Sequence, residues 1–176
     1  ASYGPPPGPV SLIMPADVAW TGGAARAEAG KRAGLKIAED GLVEEAGRAI
    51  TKAKQPALLV NGTALHAGGA EVLRRIAAQG VRVITDTFMA RFERGGGLYN
   101  AARLPYFAEM AVETLAEVDL LLITGTKLPV AFFAYPNTPG AFTPKGARTL
   151  NLGGPETDSL DAVTRLADWL DAPVAA

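Results

Sequence analysis

The stretch Asp119-Leu120-Leu121-Leu122-Ile123 predicts the fold of this chain more strongly than any other. After the aspartate its run is short and wholly apolar, which is typical of a strand buried on both sides of a sheet. Three further short segments give the same prediction, and predicted helices or irregular segments separate the four. The three are residues 57–60, 81–84 and 148–152.

Helical spacing of apolar residues separates these strands. It predicts helices over residues 42–53, 70–79, 107–117 and 160–170. Asp40 is placed to cap the first of them. Strands that are apolar on both faces and alternate with helices predict a parallel sheet covered on both sides. Because crossovers between parallel strands are right-handed, we expect an α/β fold with three layers, a doubly wound Rossmann-like sheet.

Composition excludes several classes of function. The 176 residues contain no cysteine, which excludes disulfides, thiolate zinc sites and a cysteine nucleophile. With 17 basic and 18 acidic residues, the net charge of -1 gives no footprint for nucleic acid. No apolar run has the length of a membrane span, and the first residues lack the order of a signal peptide. We therefore expect a soluble, cytoplasmic protein with neither nucleic acid nor membrane as partner.

Ligands of doubly wound sheets bind beyond the carboxyl ends of the strands. Here these ends are rich in small residues, which let a phosphate approach backbone N–H groups. They are residues 61–64, 85–89, 124–127 and 153–154. The GxGxxG spacing is absent, and ordinary strand-to-helix turns of this fold also use Asn and Gly. The residues alone leave both a nucleotide site and plain turns open.

Four other features have two interpretations each. His66 is either a general base or a surface-loop histidine. Residues 91–97, Arg-Phe-Glu-Arg-Gly-Gly-Gly, either grip an anion or form a solvated loop. Residues 132–136 either stack on an aromatic ring or another subunit, or form a satellite core. Asp86 either binds a ribose hydroxyl or caps a turn. The carboxylates show no metal-ligand spacing.

The beginning of the chain predicts a separate piece of structure. Residues 7–18 read Pro-Gly-Pro-Val-Ser-Leu-Ile-Met-Pro-Ala-Asp-Val, a short apolar run closed by a proline that cannot donate to a sheet. About 20 residues of small, polar and charged composition follow before the α/β pattern starts. We expect a tail strand within residues 1–19, a linker over 20–39 and an α/β domain over 40–176.

This opening, PGPVxLxxPxDV, resembles the end of the pyrimidine-binding domain in thiamine diphosphate (ThDP) enzymes of the acetolactate synthase type. The similarity extends over nearly the whole chain. Residues 55–62 look like the family's "kP-vlvvGgG" strand and turn, residues 83–89 resemble its "PV-xxT" strand, and residues 116–125 are similar to its "aDlvlxlG" strand. The resemblance implies that residues 40–176 are the family's central domain, whose Rossmann-like sheet (the DHS-like NAD/FAD-binding fold) also occurs in sirtuins.

The resemblance also implies a function. The parent enzyme would decarboxylate a 2-oxo acid and then join carbon to carbon, as a homo-oligomer, with ThDP and Mg held by flanking pyrimidine- and diphosphate-binding domains of the same chain. The central domain would be structural and inactive alone, with no catalytic or metal-binding residue. It would bind FAD or ADP where the strands end, along Asn61, Gly62, Thr63, Thr87, Phe88, Met89, Gly125, Thr126 and Lys127.

This chain departs from the family pattern at three of these turns. The glycine triplet is Asn-Gly-Thr at residues 61–63. The arginine and paired aspartates of FAD-binding members are Lys-Leu-Pro-Val at residues 127–130, and the acidic strand end is Asn-Leu-Gly-Gly at residues 151–154. Lys127 could still meet a phosphate as a point charge.

Two alternatives use the same fold. A sirtuin-like NAD-consuming deacylase needs a catalytic histidine and mostly a four-cysteine zinc module, and this chain has no cysteine. An electron-transfer-flavoprotein-like domain, or another stand-alone nucleotide-binding module, would bind its nucleotide without ThDP neighbours. The opening PGPV segment argues against the flavoprotein.

Overall fold

The computed structural model describes residues 2–134, 136–137 and 139–171, and divides the chain into two compact units between Leu35 and Lys36. The predicted α/β domain begins at residue 40, whereas the second unit begins at Lys36. Its backbone N–H donates to Glu156 O at 2.9 Å, and its carbonyl accepts from Asp158 N at 2.8 Å. These bonds form a short parallel bridge to Thr157 that attaches the end of the predicted linker to the second unit.

The first unit contains one short helix, α1 (Ala16–Trp20), and no strand among its described residues. The strand predicted in the opening apolar run is not formed, and Leu12 and Ile13 are each 89% exposed. The predicted strand would belong to the sheet of a preceding domain, since a strand needs a neighbour to pair its backbone N–H and C=O groups. Within this unit the Arg32 guanidinium lies 4.0 Å from the centroid of the Tyr3 ring.

Five parallel strands form the sheet of the second unit, in the order β3-β2-β1-β4-β5. They are β1 (Pro56–Val60), β2 (Arg82–Thr85), β3 (Ala102–Arg103), β4 (Leu120–Thr124) and β5 (Arg148–Asn151). In the register, Leu58 of β1 lies opposite Val83 of β2 and Leu122 of β4. The chain builds one side of the sheet outward from β1 and then the other outward from β4. This confirms the predicted doubly wound sheet.

Four helices of the second unit confirm the four predicted ones, with shifted ends. They are α2 (Asp40–Ile50), α3 (Gly69–Ala78), α4 (Ala108–Leu115) and α5 (Ser159–Asp171). A 3-10 helix at Gly62–Leu65 and the two-residue strand β3 were not predicted. None of the helices in the described ranges combines the length and the apolar character that crossing a bilayer requires.

Both faces of the sheet are covered. Alternate side chains of a strand point to opposite faces, so Leu58 and Leu122 pack with α2, α3 and α5, whereas Leu59 and Ile123 pack with α4. The helical side of the second cluster contributes Ala108, Ala111 and Leu115. The sheet is therefore the middle of three layers, as the sequence predicts.

Helix α2 begins differently from the prediction. Asp40 is its first residue and not its cap; the cap is Glu39, whose side chain makes no capping hydrogen bond. The Asp40 carboxylate instead accepts from Arg165 Nη1 at 2.6 Å, and Arg165 Nη2 donates to Ala38 O at 2.8 Å. Contacts to α5 thus hold the start of α2, in place of a local cap.

Helices α2 and α5 also meet at Gly47. A Cβ atom built there would lie 2.2 Å from Cε3 of Trp169, so the indole ring lies directly on the backbone of α2. Such an approach leaves no room for any side chain at this position.

Asp119 ties the amino end of β4 to that of β1. Its carboxylate accepts from the backbone N–H of Lys54 at 2.8 Å and of Gln55 at 2.9 Å. These hydrogen bonds, the one to Lys54 first, hold the pKa of Asp119 below its ordinary value of 3.8.

Gly47→Ala should lower the free energy of unfolding by about 1–3 kcal/mol, because the added methyl group displaces the Trp169 ring. Gly41→Ala in the same helix is the matched control, since no atom lies within 4 Å of its Cβ position. It should raise stability by up to about 1 kcal/mol through helix propensity. Urea unfolding measures both, and equal effects of the two substitutions would contradict the close packing.

Asp119→Asn should make unfolding less dependent on pH in acid. A carboxylate with a lowered folded-state pKa stabilises fully above its ordinary value of 3.8, and this contribution is lost as the pH falls through the folded-state pKa. The stability difference between wild type and variant should therefore shrink as the pH falls below about 4. Thermal midpoints against pH test this, with Glu117→Gln, an exposed neighbour, as the charge-matched control.

Candidate functional site

The turns after β1, β2 and β4 meet at one edge of the sheet, as their parallel direction requires. Backbone hydrogen bonds continue past the strand ends, from Asn61 N to Thr124 O and from Asp86 N to Val60 O, both at 3.1 Å. The sequence-predicted residues Asn61, Phe88 and Thr126 are thereby brought together, with Asp86 between them.

Asn61 and Asp86 hold these three turns to one another. The Asn61 side chain donates to Phe88 O at 2.9 Å and more weakly to Asp86 Oδ2 at 3.5 Å, and its Oδ1 accepts from Gly62 N at 2.8 Å. Thr126 Oγ1 donates to Asp86 Oδ2. Most polar atoms of this network are therefore hydrogen-bonded to one another. Asp86 joins two turns, which is close to its predicted role as a cap of a turn.

The turns after β1 and β4 touch through their backbones. Gly125 has a φ of 67°, and a Cβ atom there would lie 2.1 Å from Asn61 O. The two central turns therefore lie in direct backbone contact at this point. The hydroxyl of Thr124, just before it, is buried without a hydrogen-bond partner among the described residues.

Gly62 and Thr63 face helix α5. Thr63 Oγ1 donates to Asp158 Oδ1 at 2.7 Å and accepts from Leu160 N at 3.0 Å. Ser159 Oγ, which lies 3.1 Å from the Cβ position of Gly62, donates to Asn61 O at 2.6 Å. The turn after β1, which the sequence offers as a phosphate-binding turn, is thus in contact with the start of α5. A 3-10 helix follows β1, and α3 begins only after it.

A cleft of about 900 Å³ lies beside this network at the ends of β2 and β3. Of the nine predicted cofactor residues it contains Thr87, Phe88 and Met89. Its other lining residues include Thr85, Arg91, Phe92, Arg94, Asn100 and Arg103. The structure therefore places the anion-gripping candidates of residues 91–97 in the same cleft as one of the predicted turns.

The three arginines of the cleft differ in their surroundings. Arg91 pairs with Glu93 at 2.7 Å, and the Arg94 guanidinium lies 5.7 Å from the centroid of the Phe92 ring. No described acidic side chain pairs with Arg94 or with Arg103. The sequence reasoning missed Arg103, because a two-residue edge strand inside a glycine-rich segment carries no periodic signal.

A second cavity, about 200 Å³, lies on the other side of Thr87. Asp86, Thr126 and Lys127 supply its polar groups. The apolar walls come from Leu104, Leu128, Pro129, Val130, Phe132 and Phe142. Thr126 and Lys127, two predicted cofactor residues, are therefore separated from the arginine cleft.

Exposed aromatic rings cluster at the same edge. Phe132 lies 5.0 Å from Phe88 and 5.3 Å from Tyr106 between ring centroids, and Phe107 and Phe133 join through Tyr106. These rings contact each other, which fits the satellite-cluster interpretation of residues 132–136. Residue 135 of that stretch lies outside the described residues.

His66 ends the 3-10 helix and is partly exposed. Its backbone N–H donates to Thr63 O at 3.0 Å, and its ring makes no hydrogen bond within the described part of the chain. This position matches a surface-loop histidine.

Comparisons with known proteins connect this fold to larger enzymes. No protein-family model matches the chain. A protein of Mycobacterium tuberculosis (strain ATCC 25618 / H37Rv) named "Putative acetolactate synthase large subunit IlvX" is 38% identical over 171 residues, which is 94% of this chain and 32% of that protein. The chain thus spans about a third of the length of this curated relative.

Two solved structures share the fold. A "putative thiamin diphosphate-dependent enzyme" from Mycobacterium smegmatis matches with a TM-score of 0.60 and 23% identity, over 99% of this chain and 36% of that one. Benzoylformate decarboxylase from Polynucleobacter necessarius matches with a TM-score of 0.61 and 20% identity, over 98% and 35%. Both likenesses concern the fold alone.

Gly125→Ala should destabilise the chain by about 3 kcal/mol or more, because it adds a clash with Asn61 O to the strain of a positive φ. Gly146→Ala is the control, since its φ of 89° carries the same strain with no atom within 4 Å of the Cβ position. Its loss should be about 1–2 kcal/mol. Chemical denaturation measures the free energy of unfolding of both variants. Equal losses of stability would mean that the contact between the two turns is not required.

Proposed function

We propose that this chain, as a member of the acetolactate synthase-like family of ThDP-dependent enzymes, is the central domain of such an enzyme. We also propose that it is inactive alone. The supporting observation is a sequence match over nearly the whole chain to about a third of a longer relative. The fold supports the same conclusion, since a "putative thiamin diphosphate-dependent enzyme" and a benzoylformate decarboxylase share it over about a third of their own lengths.

In the parent enzyme, a cytoplasmic homo-oligomer, the reaction would be decarboxylation of a 2-oxo acid followed by carboligation. ThDP, when bound, supplies a carbanion that the protein could not form unaided. In the described part of this chain, no three His, Cys, Asp or Glu side chains are grouped as a metal site. We assign ThDP and Mg to the flanking pyrimidine- and diphosphate-binding domains on the resemblance to the family alone. This chain would support those two domains in the intact enzyme.

The exposed apolar run near the start fits this arrangement. Leu12 and Ile13 are almost fully exposed, and prolines at positions 9 and 15 bound the run. An unpaired extended segment of this kind can add to the edge of a sheet and satisfy its backbone there. We assign residues 10–14 to the last strand of the preceding pyrimidine-binding domain, with residues 20–39 as the linker.

We further propose that the arginine cleft binds an adenine nucleotide, as ADP or as the ADP half of FAD. Arg94 and Arg103, which pair with no acidic side chain among the described residues, supply cations suited to phosphate. Phe92, partly exposed, and Phe88 offer apolar faces for the base, beside the predicted residues Thr87 and Met89. The contact between Gly125 and Asn61 argues against a pyrophosphate in the central turns. Asn61, Gly62 and Thr63 would therefore lie behind the binding site and support its shape.

A thermal-shift panel with FAD, ADP, coenzyme A and NAD tests this site on the full chain. A ligand at 100 times its Kd stabilises by about 2.7 kcal/mol, which is a rise of about 5–10 °C in Tm for this size. We expect FAD or ADP to produce it. Arg103→Gln should weaken that binding about tenfold or more, because a charge-assisted contact to phosphate is lost.

Arg26→Gln is the control for Arg103→Gln, since it removes the same charge from an exposed position in the other unit. Equal weakening by both variants would point to general electrostatic attraction and would contradict the cleft. A 2-oxo acid assay with ThDP and Mg tests the larger proposal separately. Turnover by this chain alone would contradict its role as a central domain.

A further inference from the structure

We propose that the 200 Å³ cavity beside the arginine cleft binds a small apolar α-amino acid. Its lining combines one carboxylate, Asp86, and one ammonium, Lys127, with walls that are otherwise almost wholly apolar. A ligand that satisfies all three features carries a positive group, a negative group and an apolar side chain. A zwitterionic amino acid has this combination.

Asp86 and Thr126 form the end of the cavity that receives a cation. Asp86 Oδ2 accepts from Thr126 Oγ1 and, at 3.5 Å, from Asn61, whereas Asp86 Oδ1 has no hydrogen-bond donor among the described residues. Because Thr126 donates its proton to Asp86, its oxygen lone pairs are available to a ligand. A carboxylate and a hydroxyl oxygen together suit an ammonium group with several N–H donors.

Lys127 forms the end that receives an anion. Its side chain is exposed and pairs with no acidic group in the described part of the chain, Asp86 included. The backbone N–H groups of Lys127 and Leu128 likewise have no acceptor among the described residues. An ammonium group and backbone N–H groups are donors that can together bind a carboxylate.

The walls select the side chain of the ligand. Leu104 and Phe142 are buried beneath the cavity, and Val130 and Phe132 are half-exposed beside it. A branched side chain of four carbons would bury its apolar surface there. Each methylene removed from the ligand should weaken binding about fourfold. The site does not depend on the nucleotide proposal, because Thr87 is the only residue that the two cavities share.

Isothermal titration of the full chain with L-leucine tests the proposal. We expect saturable binding with a Kd of about 1 mM or below. Isoamylamine, which lacks the carboxylate, and 4-methylpentanoate, which lacks the ammonium, should each bind about tenfold or more weakly. Glycine should not bind detectably, because it fills none of the apolar part.

Lys127→Gln should weaken leucine about tenfold and leave isoamylamine unchanged, since the amine has no carboxylate to lose. Lys145→Gln, an exposed lysine outside the cavity, is the charge-matched control and should change neither. The proposal is overturned by no saturable binding of leucine up to about 10 mM. It is also overturned if 4-methylpentanoate binds as well as leucine, which would indicate a simple anion site, or if Lys145→Gln weakens leucine as much as Lys127→Gln.

Discussion

Every residue of β1 and β4 is buried, and this burial is the constraint on which the rest of the second unit depends. A sheet whose central strands have no face for water must be covered twice, so helices have to lie on both sides. Parallel pairing of such strands requires crossovers, and their handedness fixes where α3 and α4 can lie, because these two helices connect strands of the sheet. The three-layer architecture therefore follows from the burial of the residues of β1 and β4.

The same constraint explains where ligands can be recognised. Parallel strands bring their carboxyl ends to one edge, which is where doubly wound sheets bind ligands. In this chain hydrogen bonds from Asn61 and Thr126 to Asp86 Oδ2 join the innermost turns to one another. The two cavities described above lie beside these turns, where the irregular segment after β2 and the loop after β4 leave the sheet.

Prediction from the sequence succeeded where burial alone decides the structure. Three of the four predicted strands, β1, β2 and β4, are largely buried apolar runs, and the four amphipathic helices keep helical spacing, so their type and order could be read directly. It failed at Asp40, where an ion pair to Arg165 replaces a cap. It also missed Arg103, because pairing of a two-residue edge strand depends on its neighbour β2 and not on its own sequence. The sequence predicts in which turns the nine cofactor residues lie. It does not predict which of their side chains face a cavity, because this depends on tertiary contacts such as the hydrogen bond between Thr63 and Asp158.

The two tryptophans of the chain happen to lie in different units. Trp20 is almost fully exposed in α1 of the first unit, whereas Trp169 lies against the backbone of α2 in the second. Indole emission shifts to shorter wavelength as the ring leaves water, and a dissolved quencher such as iodide reaches only an exposed ring. The chain therefore carries a built-in pair of fluorescent reporters. One responds when a neighbouring surface covers the opening segment, and the other responds when the packing of α2 on α5 loosens.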